Sequence, residues 1–231
     1  MTTGSWAPKS HVQQTTGYFG SKDYVPVDMN KPETLCARGR PREFCLDEAL
    51  AAALRVFWTK GYDGTSLTDL TEAMGITRPS LYAAFGNKES LFCKALDLYE
   101  REKLEYIGRA LAQPTARGVA EVLLRGAVDN VCSIEEPHGC LGVITATACG
   151  EEAQAVRDEV LERGKAARLA MTERLERAKA EGDLPGHVDI EGLTSVLIAM
   201  VQGISVQAGA GATRDELDRL VVTGLALWPS S

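Results

Sequence analysis

The chain has 231 residues, of which 45% are hydrophobic and only 6% aromatic, a balance that favours helices over a β-sandwich and gives room for one large or two small domains. No run of about 18 uninterrupted apolar residues occurs and the N-terminus lacks a basic-then-apolar pattern, so neither a membrane span nor a secretion signal is expected. The net charge of −7 argues against a nucleic-acid partner until it is mapped: residues 38–98 hold eight Lys or Arg against eight acids, whereas residues 99–231 hold fourteen against twenty-one. A neutral, locally basic segment ahead of an acidic body remains compatible with DNA. The six cysteines, Cys36, Cys45, Cys93, Cys132, Cys140 and Cys149, show no CxxC spacing and read as reduced thiols of a cytoplasmic protein.

Residues 1–37 have no usable periodicity and are expected to be disordered or loosely attached. Arg38, Arg40 and Arg42 then form a basic cluster ahead of the first helix, Leu46–Lys60, whose apolar stripe is Ala49, Leu50, Ala53, Leu54 and Phe57. Gly61 ends it. Ser66 followed by Asp69 has the form of a capping box and opens a helix over Leu67–Met74. Gly75 supplies a positive-φ stop, Thr77 is the next N-cap, and Pro79 falls in a first turn where its missing N–H costs nothing. This next helix, Arg78–Phe85, stops at Gly86, and Asn87 caps a fourth, expected to run to about Ala112 before Pro114 breaks it. Two short helices around a tight Gly turn make a helix-turn-helix pattern, with the second helix the candidate for the major groove. Leu81, Ala84 and Phe85 face inward, leaving Thr77, Arg78, Ser80 and Tyr82 outside. A plain helical hairpin with a solvated face is the competing reading of the periodicity.

Five further helical stretches follow, at 117–132, 139–149, 151–181, 189–208 and 213–227. The 189–208 segment is apolar on nearly every side, which requires burial all round. A partner surface supplies that in a domain this size; closure of the monomer's own core is the alternative. Enzymatic motifs are absent: no GxGxxG, P-loop, GxSxG or HExxH occurs, and His11, His138 and His187 have no ligand partner at i+3 or i+4. No cofactor or metal is expected. His138 and Cys140, in Pro137-His138-Gly139-Cys140, suit a soft metal or a reactive electrophile, against the commoner reading of a loop histidine and a packing cysteine.

The stretches LDEALAAALRVFWTKGYDGTSL, EAMGIT and RPSLYAAFGNKESLF resemble the DNA-binding domain of the TetR/AcrR family of bacterial transcription regulators, continuously from about Arg38 to Leu98. The resemblance implies an all-α protein with a helix-turn-helix domain over 38–98 and a helical ligand-binding and dimerisation domain over 99–231. It further implies a homodimer on a palindromic DNA operator, released by a small molecule that a Leu-, Val-, Ile- and Ala-lined pocket would make mostly apolar. On that plan Arg78 heads the recognition helix and contacts guanine, while Thr77, Pro79, Ser80 and Tyr82 divide between base edges and backbone. Lys88, Thr65 and Ser66 would hold phosphate, and Arg38 and Arg40 would reach the minor groove. The last two helices would pair across the dimer through Leu193, Val196, Leu197, Met200, Ile204, Leu217, Leu220, Val221 and Gly224. Two rivals remain: a helical enzyme with a vestigial head, and a DNA-binding protein without a ligand.

Overall fold

The computed structural model describes residues 45–133, 139–148, 150 and 153–229, so the expectations for residues 1–37, Arg38, Arg40 and His138 lie outside the described residues. The described residues form α1 (Leu46–Lys60), α2 (Leu67–Met74), α3 (Arg78–Phe85), α4 (Lys88–Lys103), α5 (Glu105–Leu111), α6 (Ala116–Val131), α7 (Leu141–Ala148), α8 (Gln154–Ala180), α9 (Ile190–Gly209) and α10 (Arg214–Ala226). The fold is all-α, a helix-turn-helix head followed by a helical bundle. The single fourth helix expected up to Ala112 is two helices. Leu104 leaves helical geometry at φ −105° and ψ 10°, and the chain turns there. Its side chain packs against both hydrophobic cores.

The first core is built by α1 to α4 around Phe57, Trp58, Phe92 and Tyr99. Phe57 meets Phe92 edge-on at 5.1 Å and Trp58 meets Tyr99 edge-on at 4.9 Å, the geometry that aromatic quadrupoles prefer. Leu141 of α7 and Val156 and Val160 of α8 complete this core from the C-terminal part of the chain. The second core lies between α5, α6, α8, α9 and α10. At Gly126 of α6 a Cβ would fall 2.5 Å from the Tyr106 ring, so only glycine lets α5 lie this close.

Arg163 of α8 fastens α8 to α4. Its guanidinium meets Asp97 at 2.7 Å, Glu100 at 2.8 Å and Glu159 at 2.8 Å. Glu100 is largely buried, and burial raises its carboxyl pKa against the pull of Arg163.

The all-round apolar helix divides its faces. Leu197 and Ile204 of α9, with Leu217 and Val221 of α10, are 0% exposed within the single chain. They belong to its own core, which corrects their expected place on a subunit interface. A side chain enclosed by its own chain has no surface left to offer a partner. Leu193, Met200, Leu220 and Gly224 are half-buried. Val196 is 57% exposed, and Val206, Val222 and Leu227 also stand out in solvent. α9 is long and apolar enough, by length and composition, to cross a membrane. Here it packs against α6, α8 and α10.

Candidate nucleic-acid interface

The head positions its outward face through caps, each local in sequence. Ser66 Oγ accepts the Asp69 N–H at 3.0 Å while the Ser66 N–H donates back to Asp69 at 2.9 Å, closing the capping box that opens α2. Lys60 from the end of α1 donates to the same carboxylate at 2.6 Å. That bond first, then those from Ser66, hold the Asp69 pKa down to about 2. Gly75, at φ 67° and ψ 30°, ends α2 in the left-handed region, and the Ile76 N–H reaches back to the Thr71 carbonyl. Thr77 caps α3 by accepting from the Ser80 N–H, and Pro79 lies in the first turn. Asn87 caps α4 through the Ser90 N–H at 2.7 Å.

This frame leaves the cap Thr77 and Arg78, Pro79, Ser80 and Tyr82 of α3 exposed together, while Leu81 and Phe85 enter the core. The Thr77 and Ser80 hydroxyls lie 2.9 Å apart. Arg78 reaches across the turn to donate to the Thr68 hydroxyl of α2 at 3.1 Å. An exposed bond of this kind restrains the guanidinium without fixing it. Thr68 therefore joins the surface, although nothing in its local sequence context singles it out. Lys88 sits 4.2 Å over the Tyr62 ring, at the start of α4.

Two residues expected to hold phosphate have their hydroxyls committed to hydrogen bonds within the head. Thr65 is 2% exposed, and its hydroxyl donates to the Gly61 carbonyl at 2.6 Å. This is a correction: the hydroxyl satisfies a carbonyl at the end of α1 and has no face toward a ligand. Ser66 is exposed, but its hydroxyl is held by the capping box. Its role is to start α2. Among the described residues no group of three His, Cys, Asp or Glu side chains is placed to hold a metal ion.

Family models match both parts of the chain: residues 49–94 fit "Bacterial regulatory proteins, tetR family" and residues 121–223 fit "Tetracyclin repressor-like, C-terminal domain". The chain is 33% identical over 195 residues to the HTH-type transcriptional repressor ComR of Escherichia coli (strain K12), covering 84% of this chain and 93% of that one. The chain belongs to the TetR/AcrR family of bacterial transcription regulators. Among solved structures it is 42% identical to a cysteine mutant of the TetR family regulator CifR complexed with 26-bp double-strand operator DNA, at TM-score 0.78 over 83% of this chain and all of that one. A TetR regulator from Rhodococcus sp. RHA1 is 38% identical at TM-score 0.57, with 79% of this chain and 98% of that chain covered. As a TetR-family protein it is a ligand-responsive, DNA-binding regulator of transcription that works as a homodimer, and not an enzyme.

Proposed function

We propose that the protein is a repressor whose α3 enters the major groove of a palindromic operator, with Arg78 reading guanine and Thr77, Pro79, Ser80 and Tyr82 contacting neighbouring bases and backbone. The observation that carries this is the grouping of those five exposed residues on one short helix, aimed by the left-handed Gly75 turn and by two capped helix starts. Lys88 adds positive charge at the N-terminus of α4, where backbone N–H groups favour a phosphate. Residues 38–98 act as the DNA-binding unit, and residues 99–231 serve ligand binding and dimerisation. Its place of action is the cytoplasm.

The second subunit docks on the apolar side of α9 and α10 that this chain leaves uncovered, at Val196, Met200, Val206, Val222 and Leu227, with Leu193, Leu220 and Gly224 at its margin. At Gly224 a Cβ would fall 1.9 Å from the Met200 methyl group, so the two helices pack at close range there and present one surface. Release follows when a small molecule binds the form of the dimer whose heads no longer match the operator spacing.

Selection of bound fragments from the host genome, followed by footprinting, tests the reading. Inverted half-sites about one helical turn apart, protected by the wild type, are expected. Binding that tracks DNA length and shows no preferred site would overturn it.

A further inference from the structure

α8 starts against the head, through Val156, Val160 and the Arg163 clasp, and then runs away from it. About three turns beyond Arg163, or about 16 Å along the helix, stands Arg174. It is 5% exposed, and its Nη2 donates to the Gln113 carbonyl in the turn after α5 at 2.6 Å. Asp183, in the turn after α8, accepts the Ala116 N–H that opens α6. Arg117, the next residue of α6, donates to the Leu225 carbonyl of α10 at 2.7 Å. The turns after α5 and α8 and the end of α10 therefore meet around the first turn of α6.

Arg174 is poorly matched to this place. Its Nε and Nη1 are enclosed without a hydrogen-bond acceptor among the described residues, and the bond from Nη2 goes to a neutral carbonyl. Met171, Leu175 and Ala178, which share its face of α8, are buried apolar side chains of the second core, and Leu184 joins them from the following turn. An enclosed cation among such groups is destabilising, and a methionine of similar length would fill the position without that penalty. The Trp228 indole N–H, three residues beyond Leu225, is also buried without an acceptor. A guanidinium and an indole N–H are donors only, so what this end of the bundle lacks is an acceptor.

We propose that Arg174 receives the carboxylate of a small apolar monocarboxylic acid, and that such an acid is the molecule that releases the operator. A carboxylate brings both the acceptor oxygens that the enclosed N–H groups lack and the charge that offsets the guanidinium. A neutral amide or ketone would supply an acceptor and leave the cation uncompensated. A doubly charged phosphate would carry more charge into apolar surroundings than one guanidinium balances. Met171, Leu175 and Leu184 suit a hydrocarbon tail. The acid reaches the guanidinium by taking the place of the Gln113 carbonyl at Nη2, which frees the turn after α5. α5 continues α4 through Leu104, and α4 carries Phe92 and Tyr99 of the head's core, so a shift of that turn is passed to the head. This inference rests on the DNA-binding reading above and names the chemical class of its effector.

The test uses the full chain with hexanoate as the probe and hexanamide, which has the same tail and no charge, as its match. Hexanoate should raise the melting temperature in the absence of DNA and lower affinity for the selected operator fragment by about tenfold or more, an ordinary allosteric coupling. Hexanamide should bind at least about 30-fold more weakly, the scale of leaving one member of a buried charge pair unmatched. Arg174→Met, or Arg174→Gln should the first not fold, should bind the operator as the wild type does and lose both responses to hexanoate. Without ligand, Arg174→Met should melt no lower than the wild type. Equal responses to acid and amide, a hexanoate response that survives loss of the guanidinium, or hexanoate binding that leaves operator affinity unchanged would each overturn the proposal. A wild type that ignores hexanoate while Arg174→Met melts lower would overturn it too, and make Arg174 a structural tie to Gln113. Protein that is stabilised by hexanoate through Arg174 but binds no preferred fragment would instead overturn the DNA-binding reading beneath it.

Discussion

The outer faces of α3 and α9 both exceed what the chain's own core requires, and they differ in chemistry. α3 buries Leu81 and Phe85 and leaves hydroxyls, a guanidinium and a phenol in water. α9 buries Leu197 and Ile204 and leaves Val196 and Val206 more than half exposed. Water solvates the first face at little cost, whereas the second keeps a standing hydrophobic penalty until something covers it. A polar face on a rigid, capped helix suits a partner read by hydrogen bonds, and an apolar stripe suits a second copy of the chain. The surplus face of a helix, more than its buried one, carries the information about its partner.

The sharpest way to break this comparison is to place the same charge on either side of α9. Leu197→Glu buries a carboxylate with no counter-charge and should cost more than about 4 kcal/mol, unfolding the chain before any effect on assembly can be seen. Val196→Glu places that carboxylate in water in the single chain. It should leave helicity by circular dichroism intact while sedimentation shows monomers. A Leu197→Glu protein that folds and is merely monomeric would mean that the buried and uncovered faces have been assigned the wrong way round.

The next effect concerns the junction between the two regions. Arg163→Ala strands Glu100, largely buried, beside Asp97 and Glu159 with no cation among them. A loss of about 3 kcal/mol is expected, since removing the guanidinium leaves the buried Glu100 carboxylate without its counter-charge, while Asp97 and Glu159 remain open to water. Thermal melting should show it, and Arg163→Lys should recover part of it. An unchanged melting temperature would mean that α4 and α8 do not need this clasp.

Most of the head was legible because its signals are local. Ser66 with Asp69, Gly75, Thr77 and Asn87 each satisfy a backbone group three or four residues away, so spacing alone predicts them. Thr65 was not legible. Its hydroxyl bonds a carbonyl four residues back across a turn that α1 and α2 form only when packed, and a polar residue beside a capping box looks equally suited to phosphate. The break at Leu104 escaped for a similar reason: no Gly or Pro marks it, and two cores compete for one side chain. In α9 an apolar residue on every side cannot tell core from partner face.

On the polar face, Arg78→Ala should weaken specific operator binding by about 1–3 kcal/mol and relax preference at a single base position, with the dimer intact. Its bond to Thr68 is exposed, so the folded state should barely register the loss. Gel-shift titration against a base-substituted operator series separates the outcomes. Weakening that is uniform across the series would make Arg78 a phosphate contact.

The smallest effect lies in the cap that aims this face. Asp69 has its pKa held down to about 2 from 3.8, first by Lys60 and then by Ser66. A carboxylate depressed on folding contributes stability that is fully present above its unfolded value and disappears as pH falls through the folded one. The contribution of its charge should therefore be intact at neutral pH and fade between about pH 4 and pH 2. Asp69→Asn keeps the shape and removes the charge, so it should melt slightly lower than the wild type at pH 7. The gap should close as the pH is lowered through that window, where the wild-type carboxylate takes up its proton. Because Asp69 is partly open to solvent, salt should narrow the gap at pH 7 as well. A gap that persists unchanged at pH 2, or that ignores salt, would assign the cost to the lost geometry of the cap and not to the charge on Asp69.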